Sequence, residues 1–321
     1  MRAAFCFCLA TFALTAPNAA AQTTFSDDLL LIGALANDVS DDSIVQAISE
    51  SGELGHVLYR TREMRISSGR LDRLRQRLAL GMEVGDKVQV LVVDSQGNNA
   101  LAANAGPTIT AWSPDGQAMS FTRDLESYRL NLADGRVTPM VLPPHYVIED
   151  WHPVKDLQTA LFLNPRNAIY REFRGDSYPC RQIDLVANDN ITMPLTKNPS
   201  TDNLWSRFSP DGMKVAHYQR VINDEVPHEK LIVCREDGGD PTILIDLRKI
   251  SFSLRLPWYR PKGHPVWSPN GKTIAWLINT NELWGGTNEK LEILLVDVES
   301  KTYKRHSLTD KGIAYVQDID W

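Results

Sequence analysis

The chain's 321 residues, 43% of them hydrophobic, suffice for one large β domain with its own core and leave no room for a second domain of any size. The formal net charge of −6 argues against a general nucleic-acid binder, whose phosphate-tracking surface needs a basic excess. Beyond the N-terminus no stretch is long and apolar enough to cross a bilayer as a helix.

In chain order, Met1-Arg2, an apolar run from Ala3 to Leu14, and Ala19-Ala20-Ala21 before Gln22 have the layout of a secretory signal peptide over residues 1–21. Its apolar core is too short to span a membrane; the rival reading is an uncleaved anchor. The mature chain is therefore expected in the periplasm or outside the cell, without a transmembrane segment. Cys6 and Cys8 leave with the signal, and no small-residue lipobox precedes either. Cys180 and Cys234 remain, open to pairing in an oxidising compartment or to persisting as two free thiols.

Residues 22–55 admit two readings. Ser40-Asp41-Asp42-Ser43 ahead of Ile44, Val45, Ala47 and Ile48, stopped by Gly52, fits a short capped helix. It fits almost as well a strand at Ile44–Ile48, a turn at Ser49-Glu50-Ser51-Gly52 and a strand at His56–Tyr59. In that version Asp28 to Gly33 is an outer strand of a sheet whose inner strand ends at Trp321. From Arg65 to Met82, Leu71, Leu74 and Leu78 with arginines at 70, 73, 75 and 77 have the spacing of a basic amphipathic helix, either packed against the side of the domain or facing a partner or membrane surface.

The rest of the chain repeats one short phrase: Trp112-Ser113-Pro114-Asp115-Gly116, Phe208-Ser209-Pro210-Asp211-Gly212 and Trp267-Ser268-Pro269-Asn270-Gly271, with a degenerate Trp151-His152-Pro153 and a final Trp321. An aromatic ends a strand, Pro presets the first turn residue, and Gly accepts the conformation a β-carbon resists. Alternating apolar runs follow, such as Val215-Ala216-His217-Tyr218, so each phrase marks a hairpin. A repeat of roughly 40 to 60 residues built from strands indicates a β-propeller with one blade per repeat. Leu195-Thr196 and Leu308-Thr309 lead into the next aromatic strands, and strands such as Ile232 to Arg235 end in Gly turns.

Over residues 105 to 321 these marks resemble the WD-like repeats of the TolB family and of the propeller domains of prolyl-oligopeptidase-type enzymes. The resemblance implies an all-β propeller over residues 56–321, with blades at about 105–142, 143–199, 200–256 and 257–309. Blade openings near residues 48, 112, 151, 208, 267 and 321 give six blades, the C-terminal strand joining N-terminal strands to close the ring and remove its exposed edges. If residues 22–55 are helical the count is five. TolB carries an additional α/β domain ahead of its blades, which residues 22–55 are too short to supply.

In such a fold the phrase turns lie on one face. The loops between blades, with those joining second and third strands, lie on the other, where ligands usually bind. The candidates there are His145 and Tyr146, Trp205, the run Trp258, Tyr259, Arg260 and His264, and Trp284. Their flat apolar faces beside Arg260 suit stacking on a sugar or gripping a peptide; the plainer alternative is that they cap blade ends. No Gly-x-Ser-x-Gly elbow is present, and His228-Glu229 lacks the second histidine of a zinc helix. His145, His152, His217 and His264 could form a metal site, as in propeller lyases resembling this fold, only by converging on the channel; His217, on an alternating strand, reads as core. Glu149 and Asp150 are the first carboxylates to test for a glycosidase pair.

The sequence thus points to an exported, monomeric, non-enzymatic propeller that binds an envelope protein, peptide or glycan, with no cofactor, metal or nucleic acid. The alternative is a polysaccharide lyase or glycoside hydrolase with its site at the channel mouth.

Overall fold

The computed structural model describes residues 25–36, 42–85, 87–96, 98–103, 106, 108–162, 182–187, 190–196, 201–221, 228–250, 258–261, 263–281 and 289–321. They form six antiparallel sheets arranged as the blades of a propeller. The signal-peptide segment and Cys180 lie outside the described residues. Among the described residues no helix is long and apolar enough to cross a membrane.

Blade 1 joins the two ends of the chain: β25 (Ile313–Tyr315) and β26 (Asp318–Asp320) pair with β1 (Leu29–Ala36), followed outward by β2 (Ser43–Ile48) and β3 (Leu54–Thr61). Blade 2 holds β4 (Arg65–Leu71), β5 (Arg77–Val84), β6 (Lys87–Asp94) and β7 (Asn99–Ala103). Blade 3 holds β8 (Thr108–Trp112), β9 (Ala118–Arg123), β10 (Glu126–Asn131) and β11 (Val137–Pro139). Blade 4 holds β12 (Tyr146–Trp151), β13 (Gln158–Phe162), β14 (Gln182–Ala187) and β15 (Asn190–Pro194). Blade 5 holds β16 (Thr201–Phe208), β17 (Lys214–Val221), β18 (His228–Arg235) and β19 (Thr242–Asp246), after which comes a single helical turn, α1 (Leu247–Ile250). Blade 6 holds β20 (Trp258–Pro261), β21 (Val266–Trp267), β22 (Thr273–Asn281), β23 (Glu289–Asp297) and β24 (Tyr303–Ser307). The ring closes where Leu30, Leu31 and Ile32 pair with Asp320, Ile319 and Asp318.

The six-blade reading holds, and the five-blade one does not. Of the two readings of residues 22–55, the one that makes Ile44 to Ile48 a strand holds, as β2, and the capped helix does not. Two local expectations are corrected. Asp28 to Gly33 is not an outer strand: β1 lies directly against the innermost strand, so Ser49–Gly52 turns β2 into β3 and opens no blade. Finally, Arg65 to Met82 is not a helix but the β4–β5 hairpin that opens blade 2.

That hairpin carries a disguised copy of the repeated phrase. In blade 5, Ser209 N donates to Lys214 O (2.9 Å) and Gly212 N to Ser209 O (2.8 Å). In blade 2, Asp72 N donates to Arg77 O (2.8 Å) and Arg75 N to Asp72 O (2.9 Å). Asp72 stands at the serine position and Arg75, with φ +56°, at the glycine position. The helical spacing of Leu71, Leu74 and Leu78 arises across a strand end, a turn and the next strand: Leu71 and Leu78 are buried, while Leu74 is 64% exposed.

Packing follows the alternation of the strands. Between blades the sheet faces bury aliphatic and aromatic side chains, among them Trp276, Phe121 and Met82. The Leu-Thr marks act as pins: Leu308 is fully buried, and Thr309 Oγ1 accepts from Leu291 N at 2.8 Å. Cys234 is a free, buried thiol whose Sγ donates to Val215 O (3.7 Å), and burial pushes its pKa up to about 12.

Candidate functional site

The phrase turns are self-contained. Ser209 Oγ donates to Asp211 Oδ1 (2.6 Å) and accepts from Lys214 N (3.0 Å), while Asp211 Oδ1 also accepts from Met213 N (3.0 Å). Ser113 with Asp115 and Ser268 with Asn270 repeat the arrangement. His152 fills the same place in blade 4, its Nδ1 accepting from Val154 N and Lys155 N, both at 3.0 Å. Turns fixed in this way hold the ends of the inner strands rigidly around the channel.

The residue just before each strand-ending aromatic or leucine faces this rim. In blade order these are Asp320, Arg70, Ala111, Asp150, Arg207 and Val266. All six strand ends line one cavity of about 220 Å³ on the face of the phrase turns. Asp150 Oδ2 accepts from Phe208 N (2.7 Å) and Asp320 Oδ2 from Leu71 N (2.6 Å), each carboxylate reaching to the next blade. Arg207 Nη1 donates to Thr110 O (2.9 Å) and Glu149 O (2.6 Å) and lies 3.3 Å from Asp150 Oδ1, so one guanidinium spans three blades. Arg70 Nη1 donates to Asp318 Oδ2 and to Gly69 O. Arg207 Nη2 and Arg70 Nε are buried without a hydrogen-bond partner.

Burial dominates the electrostatics. It pushes the carboxyls of Asp150 and Asp320 above the usual range, although Arg207 and Phe208 N oppose it at the first and Arg70 and Leu71 N at the second. Burial also works against the Arg70 charge, but Asp318 and Asp320 together outweigh it and hold that pKa above its ordinary value. For Arg207, burial and then the like charge of Arg70 prevail over Asp150 and Asp320, and the pKa is lowered. The two arginines are therefore not equivalent: Arg207 has the weaker compensation.

The residues singled out on the opposite face scatter. Trp205, at φ +57°, lies tilted against Tyr218 at 5.3 Å between ring centroids and 6.3 Å from the ring of His264, so Trp205 and His264 come together. His264 is half-buried, and its pKa is lowered by burial and then by the charges of Arg207 and Arg70. Tyr146 instead turns to its own blade, donating to Asp184 Oδ2 at 2.5 Å beside Phe162, and His145 is exposed at φ +71°. Trp258, Tyr259 and Arg260 form β20, paired with Asn281, Thr280 and Asn279. Trp284 lies outside the described residues.

The histidines do not converge. His217 is core, 3% exposed, with burial lowering its pKa to about 4, and His152 faces Glu236 of the next blade at 3.3 Å. Among the described residues no group of three or more His, Cys, Asp or Glu is placed to hold a metal ion. Glu149 accepts from Trp205 N (2.8 Å), Ser206 N (2.8 Å) and Ser206 Oγ (2.6 Å), pinning the β16 bulge. Asp150 is likewise bound to Phe208 N and Arg207, so both carboxylates brace the ring. The arginine–aspartate ring itself escaped the sequence reading; aligning the repeats on their aromatics and reading one position back is the signal that exposes it.

No protein-family model and no curated protein matches the chain. Among solved structures it is similar to TolB from Acinetobacter baumannii, at 16% identity and a TM-score of 0.65 over 92% of this chain and 66% of that one. A putative TolB from Agrobacterium tumefaciens gives 16% identity and a TM-score of 0.53 over 80% of this chain and 92% of that one. An oligogalacturonate lyase in complex with manganese gives 12% identity and a TM-score of 0.50 over 88% of this chain and 74% of that one. This chain thus spans slightly less than two thirds of the Acinetobacter protein, and what it shares with the TolB structures is their fold, a closed β-propeller, here of six blades.

Proposed function

We propose that this protein is an exported, non-catalytic propeller that serves as a TolB-like binding platform for a protein or peptide of the cell envelope, acting as a monomer without a cofactor. The observation that carries this reading is the chemistry of the channel mouth. Its carboxylates Asp150, Asp318 and Asp320 are engaged by backbone N–H groups or guanidinium groups, whereas Arg70 Nε and Arg207 Nη2 are buried without a hydrogen-bond partner. Such a mouth is equipped to hold an acceptor rather than to move a proton. Leu74, Val154 and Met213, each more than half exposed, sit on turns of this face and add apolar area for a partner. Trp205 and His264 extend the proposed contact region toward the opposite face.

The test is capture of an envelope partner by the immobilised protein, followed by reciprocal purification with the partner as bait and by a glycan array. A Leu74→Asp/Val154→Asp double variant, changed only at exposed positions, should lose the partner while keeping its melting temperature. Full retention of the partner by that variant, or turnover of a polysaccharide on the array, would refute the reading.

A further inference from the structure

We propose that the channel mouth on the phrase-turn face is a carboxylate subsite, in which Arg207, with Arg70 beside it, receives an acidic group of a bound peptide. The inference rests on the binding-platform reading and names the chemistry that the platform recognises. Arg207 is 6% exposed and its orientation is not free, because Thr110 O, Glu149 O and Asp150 all hold Nη1. The other terminal nitrogen, Nη2, is buried without a partner, as is Arg70 Nε, and both arginines line the cavity. A buried cationic donor left unpaired is costly, so an acceptor belongs there.

The ring does not supply that acceptor from within. Asp150 and Asp320 are tied to Phe208 N and Leu71 N of the neighbouring blades and cannot swing without releasing a strand end. The cavity of about 220 Å³ is several times the share of one water, about 30 Å³ in the liquid, and admits a carboxylate with part of its chain. A carboxylate suits the fork of a guanidinium held rigid at one nitrogen, and it would offset the repulsion between the two arginines. The surroundings favour a peptide as the carrier. Pro114, Pro153, Pro210 and Pro269 line the cavity, and Leu74 and Val154 stand exposed on its turns, so apolar side chains flanking the acid find apolar faces.

The probes are a capped pentapeptide, acetyl-Leu-Pro-Glu-Pro-Leu-amide, its Gln counterpart, an acetyl-Leu-Pro-Leu peptide as free acid and as amide, and trigalacturonate. Tryptophan fluorescence reports binding, since Trp112 Nε1 donates to Arg70 O (2.8 Å) and Trp267 Nε1 to Arg207 O (3.1 Å). An acid form should bind about tenfold more tightly than its neutral partner, as loss of one charge-assisted bond implies. Which acid does so tells side chain from chain terminus. Arg207→Gln should abolish the difference and Arg207→Lys should keep part of it. Because Arg207 also braces three blades, the acid-against-neutral comparison on the unaltered protein stands even if both variants unfold. Equal affinity of acid and neutral forms, no binding of any peptide, or tighter binding of trigalacturonate would overturn the proposal. Partner capture that survives such a result would leave the platform reading intact and remove only the carboxylate subsite.

Discussion

Gly212 offers a direct measurement of how the phrase turns couple neighbouring blades. Its φ is +75°, and a β-carbon placed there would lie 2.3 Å from both Cε1 and Nε2 of His152, in the preceding blade. Gly135 has a similar φ of +67° but nothing within 4 Å of a built β-carbon. Alanine at Gly135 therefore meets only the left-handed backbone cost, about 1 kcal/mol. Alanine at Gly212 meets that cost and must also displace a ring that is 2% exposed, packed edge-on to Phe208, and holding Val154 N and Lys155 N. Two hydrogen bonds at about 1 kcal/mol each bring the total to roughly 3 kcal/mol. Urea unfolding of the two variants should differ by about 2 kcal/mol, with Gly212→Val worse again because a branched side chain tolerates positive φ least. Equal destabilisation by the two alanines would refute the cross-blade contact.

Three further outcomes follow from the same structure. His217 is neutral and buried, with a folded pKa of about 4 against an unfolded value near 6.5. The unfolded chain binds the extra proton between those values, so the contribution is complete above pH 6.5 and is lost as pH falls toward 4, on the order of 3 kcal/mol. His217→Leu should flatten the fall in urea-unfolding stability between pH 7 and 4.5, and an unchanged slope would count against it. Removal of residues 313 to 321 takes away β25, β26 and the Leu71 N contact of Asp320; light scattering should show association through the exposed β1 edge, and a stable monomer would contradict ring closure. Cys234 should resist thiol reagents under native conditions at neutral pH and react only on unfolding, as peptide mapping of the labelled site would show.

How much of this was legible in the sequence depended on the range of the interactions. The phrase Ser209-Pro210-Asp211-Gly212 closes its hydrogen bonds within six residues, so its letters announce its shape. The same turn in blade 2 is hidden because Asp72 alone accepts from Gln76 N and Arg77 N, bonds that Asp211 and Ser209 divide between them in blade 5, and Arg75 adopts positive φ without being glycine. There the contacts were kept and the letters changed. The order of strands in blade 1 was misjudged for a different reason. Leu29 to Ile32 is buried on both faces, and an apolar run of that kind does not say whether it lies second or last in its sheet.

The channel ring was hidden because each blade contributes one residue and no two are close in sequence. Once assembled, it repeats after three blades: Asp320, Arg70 and Ala111, then Asp150, Arg207 and Val266. Each aspartate accepts from the next blade's strand-end N–H, and each arginine's carbonyl accepts from the following blade's tryptophan. The two halves part company at the guanidinium groups. Arg70 has a carboxylate, Asp318, directly on Nη1, whereas Arg207 is held mainly by the carbonyls of Thr110 and Glu149, with Asp150 at 3.3 Å. Carbonyl oxygens fix direction without cancelling a full charge. One half of the ring is thereby neutralised and the other is oriented but underneutralised, so a ligand's negative charge is drawn to Arg207 rather than shared evenly between the two.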